Sequence, residues 1–309
     1  MPPPDAVTSA GRVHRAVIPA AGRGTRMLPF TKAVPKELLP IVSTPTGQLV
    51  VEEAVRVGCT DVLLVLSEGK QAVMDYFATD ADLEAALEAK GDETGLAAIR
   101  RAATLATVSQ ARQEVPRGLG DAVAQAEEFA AGEPFAVLLP DDLVDARDPL
   151  LGPMVDVHAE HGGIVLALTE VPPADTKRYG VVALEGDAPA HGEGGVVTVT
   201  DLVEKPDPSV APSNLAVVGR YVLPATVFDA LRRTEPGAGG EIQLTDAMKI
   251  LLDEGTPVHG VVFTGRRYDT GTKLDYLTSA VQLAVQDEEV GADFAAWLTD
   301  WVDRTRDAS

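Results

Sequence analysis

Arg12, Arg15, Arg23, Arg26, Lys32 and Lys36 lie in a stretch, from Ala6 to Lys36, that holds no Asp or Glu. The whole chain of 309 residues has a net formal charge of −21, so the rest of it carries −27. So sharp a local inversion of field favours an anionic ligand, because cations gathered beside backbone N–H groups attract and hold its oxygens. The cations follow a short apolar run, Ala16–Pro19, and a bend, Ala20-Ala21-Gly22-Arg23-Gly24-Thr25. Gly22 and Gly24 permit close backbone approach, and Arg26 and Lys36 are placed to reach phosphates. The pattern is that of a loop holding a triphosphate.

Two familiar phosphate loops are excluded. A P-loop needs Lys and Ser or Thr directly after its last glycine, but Gly24 is followed by Thr25-Arg26. A dinucleotide fingerprint needs a helix to open at once, and Pro29, Pro35, Pro40 and Pro45 forbid one of useful length. An extended loop wrapped over a nucleotide remains. Two acids complete the candidate chemistry. Asp141 ends the apolar run Phe135–Leu139, and Asp269 follows the last apolar run of the main body. Carboxylates at separate strand ends can chelate Mg²⁺, which takes few protein oxygens together with phosphate oxygens and water. Asp142, next to Asp141, is an alternative ligand.

Short β-prone runs alternating with helical segments must position these groups, which predicts an α/β fold with a mostly parallel sheet. The predicted strands are 15–19, 62–66, 135–139, 164–168, 181–184, 196–203, 216–222 and 258–263. The predicted helices are 49–57, 81–89, 120–131, 149–161, 225–232, 244–254 and 274–284. In open sheets of this kind, ligands bind at the carboxyl ends of strands. The strand-rich region from Tyr179 to Val222 breaks the alternation and is expected to cover one side of the sheet with an antiparallel or mixed insertion. Phe294, Trp297, Leu298 and Trp301 recur at helical spacing in a tail that is expected to dock on the body, or else on another subunit. Residues 1–12 are expected to be disordered, leaving one domain over 13–290 and a helix and tail over 291–309.

Composition narrows the partners. With 45% apolar and 24% charged residues the chain is ordinary for a soluble globular protein. Its single cysteine, Cys59, allows no internal disulfide and reads as a packed small residue. Neither a signal peptide nor a run long enough to span a bilayer is visible, so a cytoplasmic protein without membrane contact is expected. Acidity argues against a nucleic-acid partner.

The motifs carry a resemblance. Gly22-x-Gly24-Thr25-Arg26-Met27-Leu28-Pro29 with Pro35-Lys36-Glu37, then Leu139-Pro140-Asp141, Tyr179-Gly180-Val181, Glu204-Lys205-Pro206, Gly219-Arg220-Tyr221 and Gly239-Gly240-Glu241-Ile242-Gln243 stand in that order. Together they resemble the bacterial UTP–glucose-1-phosphate uridylyltransferases of the sugar-nucleotide pyrophosphorylase superfamily, over roughly residues 13 to 285. The resemblance implies a Rossmann-like α/β fold with a small strand-rich sugar-binding insertion, and Mg²⁺-dependent transfer of a uridylyl group from UTP to glucose 1-phosphate. It implies that Ala20, Ala21, Gly22, Gly24, Thr25, Gln113 and Gly118 contact the nucleotide, and that Arg26 and Lys36 serve the triphosphate. By the same carry-over Gly180, Glu204, Lys205 and Gly219 hold the sugar phosphate, Asp141 and Asp269 hold the metal, and the assembly is a homodimer or homotetramer. Relatives without activity lack the loop arginine; Arg26 is present, so activity is expected rather than a regulatory role. Asp121 stands where many relatives have His, and Asp269-Thr270-Gly271-Thr272 is closer to the thymidylyltransferases, which makes dTTP the alternative nucleotide.

Overall fold

A computed structural model describes residues 13–307. The expected disorder of residues 1–12 lies outside them. A nine-stranded mixed sheet is built from β1 (Arg15–Pro19), β2 (Asp61–Leu66), β3 (Thr107–Arg112), β4 (Phe135–Leu138), β5 (Ile164–Glu170), β6 (Gly180–Leu184), β7 (Gly195–Glu204), β8 (Leu215–Leu223) and β9 (Val258–Val262), in the order β3-β2-β1-β4-β8-β5-β9-β7-β6. The first four in this order run parallel, and β8 is inserted antiparallel between β4 and β5.

The helices are α1 (Thr46–Arg56), α2 (Gln71–Phe77), α3 (Ala81–Lys90), α4 (Glu93–Thr104), α5 (Leu119–Ala124), α6 (Glu127–Ala130), α7 (Leu151–His161), α8 (Val227–Arg233), α9 (Leu244–Asp253), α10 (Lys273–Ala284) and α11 (Gly291–Asp307). Strand periodicity divides the core between the two faces of the sheet. Ala16, Ile18, Leu64 and Leu138 pack with Val50 and Val51 of α1, Phe77 of α2 and Met154 of α7. Val17, Leu63, Val137 and Leu166 pack with Val123 of α5, Phe228 of α8 and Met248 of α9. Of the parallel strands, β1, β2 and β4 are apolar on both faces because helices cover both.

Four expectations are corrected. The region from Tyr179 to Val222 does not cover one side of the sheet: β6 and β7 extend it in plane at one edge, and β8, buried along its whole length, runs through its middle. The helix expected over 120–131 is two short helices separated at Gln125 and Ala126. β3, α2 and α4 were not predicted; β3 is a half-exposed edge strand, Thr-Val-Ser-Gln-Ala-Arg, without an apolar run to mark it. Finally, α11 forms, but Trp297 and Trp301 remain 52% and 48% exposed and stack in a row with Phe294, so docking on the body does not cover its aromatic face. Among the described residues, no helix is long and apolar enough to cross a membrane.

Candidate functional site

The loop after β1 begins where the Ala20 N–H donates to the Val65 carbonyl at 2.8 Å. No long helix follows. Instead, three one-turn 3-10 segments, Thr25–Met27, Phe30–Lys32 and Lys36–Leu38, carry Arg26, Lys32 and Lys36. Gly24 has a left-handed backbone (φ +62°), and a Cβ there would stand 3.0 Å from the Thr31 side chain, whose hydroxyl donates to the Gly24 carbonyl at 2.7 Å. A Cβ on Gly22 would meet nothing within 4 Å, so internal packing does not require that glycine. Beneath the loop the Lys70 ammonium donates to both oxygens of the Glu37 carboxylate, at 3.0 and 2.8 Å, and to the Ala20 carbonyl. Burial, with the like charge of Lys36 adding, holds Lys70 below its ordinary pKa against the pull of Glu37.

Asp141 and Asp142 follow β4 and have different surroundings. Asp142 is buried; its Oδ2 accepts from the Gly219 N–H at 3.1 Å, and its Oδ1 from the Arg267 guanidinium. Each of its oxygens thus already has a protein donor, although Asp142 also lines the cleft. Asp141 faces the cleft, with Lys36 Nζ 2.6 Å from Oδ2. Burial alone would raise its pKa, but Lys36 and Arg26 outweigh it and hold the carboxyl below its ordinary value. A two-stranded ribbon, Asp142–Val144 with Arg267–Asp269, draws the second acid alongside. A Cβ on Gly271 would lie 3.0 Å from Asp269 Oδ1, 3.6 Å from Asp141 Oδ2 and 3.7 Å from an Arg26 guanidinium nitrogen, so the three groups converge on one point. Burial pushes Asp269 up, as do the charges of Asp275 and Asp141, against the Gly271 N–H and Arg267. Asp269, desolvated and without an ion-pair partner among the described residues, beside Asp141, one of whose oxygens Lys36 holds, is a donor set that fits a divalent ion.

The convergence depends on a buried clamp. Arg220, 1% exposed, donates to both oxygens of Glu53 at 2.9 and 2.7 Å, and to the carbonyls of Leu139 (3.2 Å), Gly219 (2.9 Å) and Asp142 (2.6 Å). All its N–H groups are used, and the register of β8 shifts between Val218 and Tyr221 to admit it.

At the other end of the cleft's lining, Glu204 ends β7; Lys205 follows at φ +48°, its N–H donating to the Tyr179 carbonyl at 2.9 Å. The Lys205 ammonium lies 2.8 Å from Glu204 Oε1, and the Thr245 hydroxyl donates to Glu204 Oε2 at 2.8 Å. Gly219 lines the cleft but has a packing reason as well, because a Cβ there would lie 2.8 Å from Asp142 Oδ2. Gln113 follows β3, two strands over from Ala20, and its N–H is bound to the carbonyl of Leu66 on the intervening β2 at 2.9 Å. Gly118, at φ +103°, starts α5 against Ile242, whose carbonyl a Cβ would approach to 2.7 Å.

The structure thus brings Arg26, Asp141, Gly180, Glu204, Lys205, Gly219 and Asp269 into the lining of one open cleft of about 470 Å³. Thr25 and Lys36 line an adjoining depression with Arg23 and Lys32. Ala20, Ala21, Gly22, Gly24, Gln113 and Gly118 do not line the cleft; they stand at the carboxyl ends of β1 and β3 and the start of α5. Sequence reasoning missed Lys70 beneath the loop and Arg178, Arg267 and Thr245 in the cleft lining, as well as the part played by Glu37 and Arg220, although both of these lie within the recognised motifs.

This arrangement of loop, acids and strand ends can be set beside known proteins. The Nucleotidyl transferase family model matches residues 15–286. A UTP–glucose-1-phosphate uridylyltransferase of Staphylococcus epidermidis is 42% identical over 287 residues, covering 93% of this chain and 98% of that protein. One from Bacillus subtilis is 44% identical over 279 residues, covering 90% and 94%. The chain belongs to this uridylyltransferase family of nucleotidyl transferases. Among solved structures, the UTP-bound enzyme of Acinetobacter baumannii superposes with a TM-score of 0.85 at 34% identity, covering 93% of this chain and 99% of that one. A UDP-glucose pyrophosphorylase complexed with UDP-glucose gives 0.79 at 36% identity, covering 89% and 100%. The family's shared fold, a mixed sheet between helices, is the one expected from the sequence.

Proposed function

We infer that the chain transfers the uridylyl group of UTP to glucose 1-phosphate, releasing pyrophosphate. The observation that carries this reading is the convergence of Arg26, Asp141 and Asp269 on one point, in a cleft that also holds Glu204 and Lys205. The sugar phosphate brings its own nucleophilic oxygen, so no nucleophilic side chain is needed; the protein must bring two anions together in line. Asp141 and Asp269 would hold one Mg²⁺, which when bound neutralises phosphate charge at the reacting centre. Arg26 and Lys36 bind the triphosphate and meet the charge that develops on the leaving pyrophosphate. Lys36 shares its charge between Asp141 and that ligand. Lys205 holds the sugar phosphate, and Glu204 accepts from sugar hydroxyls in an orientation kept by Thr245. Gly180 lets the sugar approach the backbone. Ala20, Ala21, Gly22, Gly24 and Thr25 wrap the nucleotide, and the open space above Gly22 supports that part of the reading.

A cytoplasmic enzyme working as a homodimer or homotetramer is proposed with it, and sedimentation at micromolar concentration would show a monomer if the assembly is wrong. The activity is tested by pyrophosphate release with each nucleoside triphosphate and several sugar 1-phosphates. We expect UTP with glucose 1-phosphate to be the best pair, and discrimination against dTTP to be partial, because one methyl group is worth only about 1–3 kcal/mol in a pocket. Equal or higher efficiency with dTTP would turn the assignment to thymidylyl transfer.

A further inference from the structure

Gln113 is only 3% exposed, and its Nε2 donates to the Gly118 carbonyl at 3.2 Å and to Asp121 Oδ2 at 2.7 Å. Those two acceptors use both amide N–H bonds. Turning the amide over would set Oε1 against a carbonyl and a carboxylate, three acceptors with no proton among them, at the cost of a buried unsatisfied group. The orientation is therefore locked. Oε1 is left as the outward atom, and among the described residues no protein group donates to it. Asp121 is itself 7% exposed, and its other oxygen accepts from Arg117 at 2.8 Å. Its two oxygens are thus divided between an arginine that anchors it and the amide that it orients.

We propose that Asp121 is a specificity-determining positioning residue: by fixing the Gln113 amide it makes the base end of the site a hydrogen-bond acceptor, which takes a pyrimidine bearing a ring N–H and rejects cytosine. Uracil and thymine carry a proton on the ring nitrogen of their pairing edge, whereas cytosine carries a lone pair there. An acceptor-only carboxylate can hold the amide in one orientation alone; a histidine at this place, able to donate or accept, does not impose that choice by itself. The proposal rests on the uridylyl reading, including its placement of Gln113 beside the base, and adds what would separate UTP from CTP in this chain.

The test measures affinities for UTP and CTP by calorimetry, without sugar phosphate, in the wild type and in Asp121→Leu, Asp121→Asn and Arg117→Ala. The wild type should prefer UTP. Asp121→Leu frees the amide to turn and should lower the UTP-to-CTP affinity ratio on the order of 10-fold or more. Asp121→Asn, whose single carbonyl can accept from Arg117 or from Gln113 but not from both, should give a ratio between those of the wild type and Asp121→Leu. Arg117→Ala removes the anchor but not the acceptor, and should change both affinities alike. If Asp121→Leu fails to fold, Asp121→Ala must show the same fall. No UTP preference in the wild type, a ratio unchanged without the carboxylate, or an equal fall in Arg117→Ala would overturn the proposal. Absence of pyrophosphate release from UTP and glucose 1-phosphate in the wild type would overturn the uridylyl reading alone, leaving the affinity ratio to judge Asp121.

Discussion

At the scale of single residues, adjacent aspartates show how environment assigns a task. Asp142 is spent on the Gly219 N–H and Arg267, while Asp141 and Asp269 face each other's charge near Gly271. The two facing acids have opposite shifts, which fixes opposite signs for their effect on stability. Asp141 lies below its ordinary pKa, so its contribution is present above the usual aspartate range and is lost as pH falls through the lowered value. Asp269 lies above it, so the fold is favoured by its protonation and loses that contribution as pH rises through the raised value. In metal-free buffer at pH 7, Asp269→Asn should raise the melting temperature and Asp141→Asn should lower it; melts that shift in the same direction would contradict these opposed electrostatic environments. Both variants should lose turnover and need more Mg²⁺. Because they would act on one ion, the double variant should be little worse than the poorer single one, whereas multiplying losses in Mg²⁺ titrations would mean independent roles. The sequence alone could place Asp141 and Asp142 at a strand end, but not tell their surroundings apart. That difference depends on Arg267 and Gly219, far along the chain, and long-range pairing leaves no local signal.

Among the elements, β8 decides the geometry of the site. Its apolar run was legible, as were β1, β2, β4, β5 and β9, because strands buried on both faces read as continuous Val, Leu and Ile. Its place between β4 and β5 was not, since strand order is not written in periodicity. Nor was its bulge, through which Arg220 ties Glu53 on α1 to the Leu139 and Asp142 carbonyls. Arg220→Met would leave Glu53, 6% exposed, as an unpaired buried charge and release the loop that carries Asp141. The expected loss is about 3–5 kcal/mol in urea unfolding, with turnover falling as well. Replacing Glu53 by Leu in the same chain should recover part of the stability, since the uncompensated charge then disappears, but not the activity, since the carbonyls remain unheld. A full recovery of turnover in the double variant would show that the clamp does not position the acids. Cys59, at a turn between α1 and β2, behaves as its sequence context implied: it is fully buried, burial pushes its thiol up to about 12, and it is no nucleophile at neutral pH.

Across the whole molecule, a strongly acidic chain sets five cations, Arg15, Arg23, Arg26, Lys32 and Lys36, on β1 and the loop after it with no Asp or Glu among them. That distribution was readable as a charge count, because local composition needs no fold. The relation of the last helix to the body was not, because an amphipathic pattern says that a face wants cover but not what supplies it. In the structure α11 has Phe294 and Leu298 half-buried, with Trp297, Trp301 and Val302 exposed, while the core on both sides of the sheet is complete without it. Stability should therefore reside in residues 13–290. Deleting residues 291–309 removes little buried apolar area, and at about 25 cal/mol per Å² the loss should be small. We expect a melting temperature within about 3 °C of the full chain, since roughly 1 kcal/mol corresponds to 2–4 °C at this size, and an unchanged affinity for UTP. A much larger fall, measured together with the sedimentation coefficient before and after deletion, would mean that something covers the tryptophans in solution. A simultaneous drop in mass would identify that cover as a second copy of the chain; an unchanged mass would mean that α11 folds back on its own body.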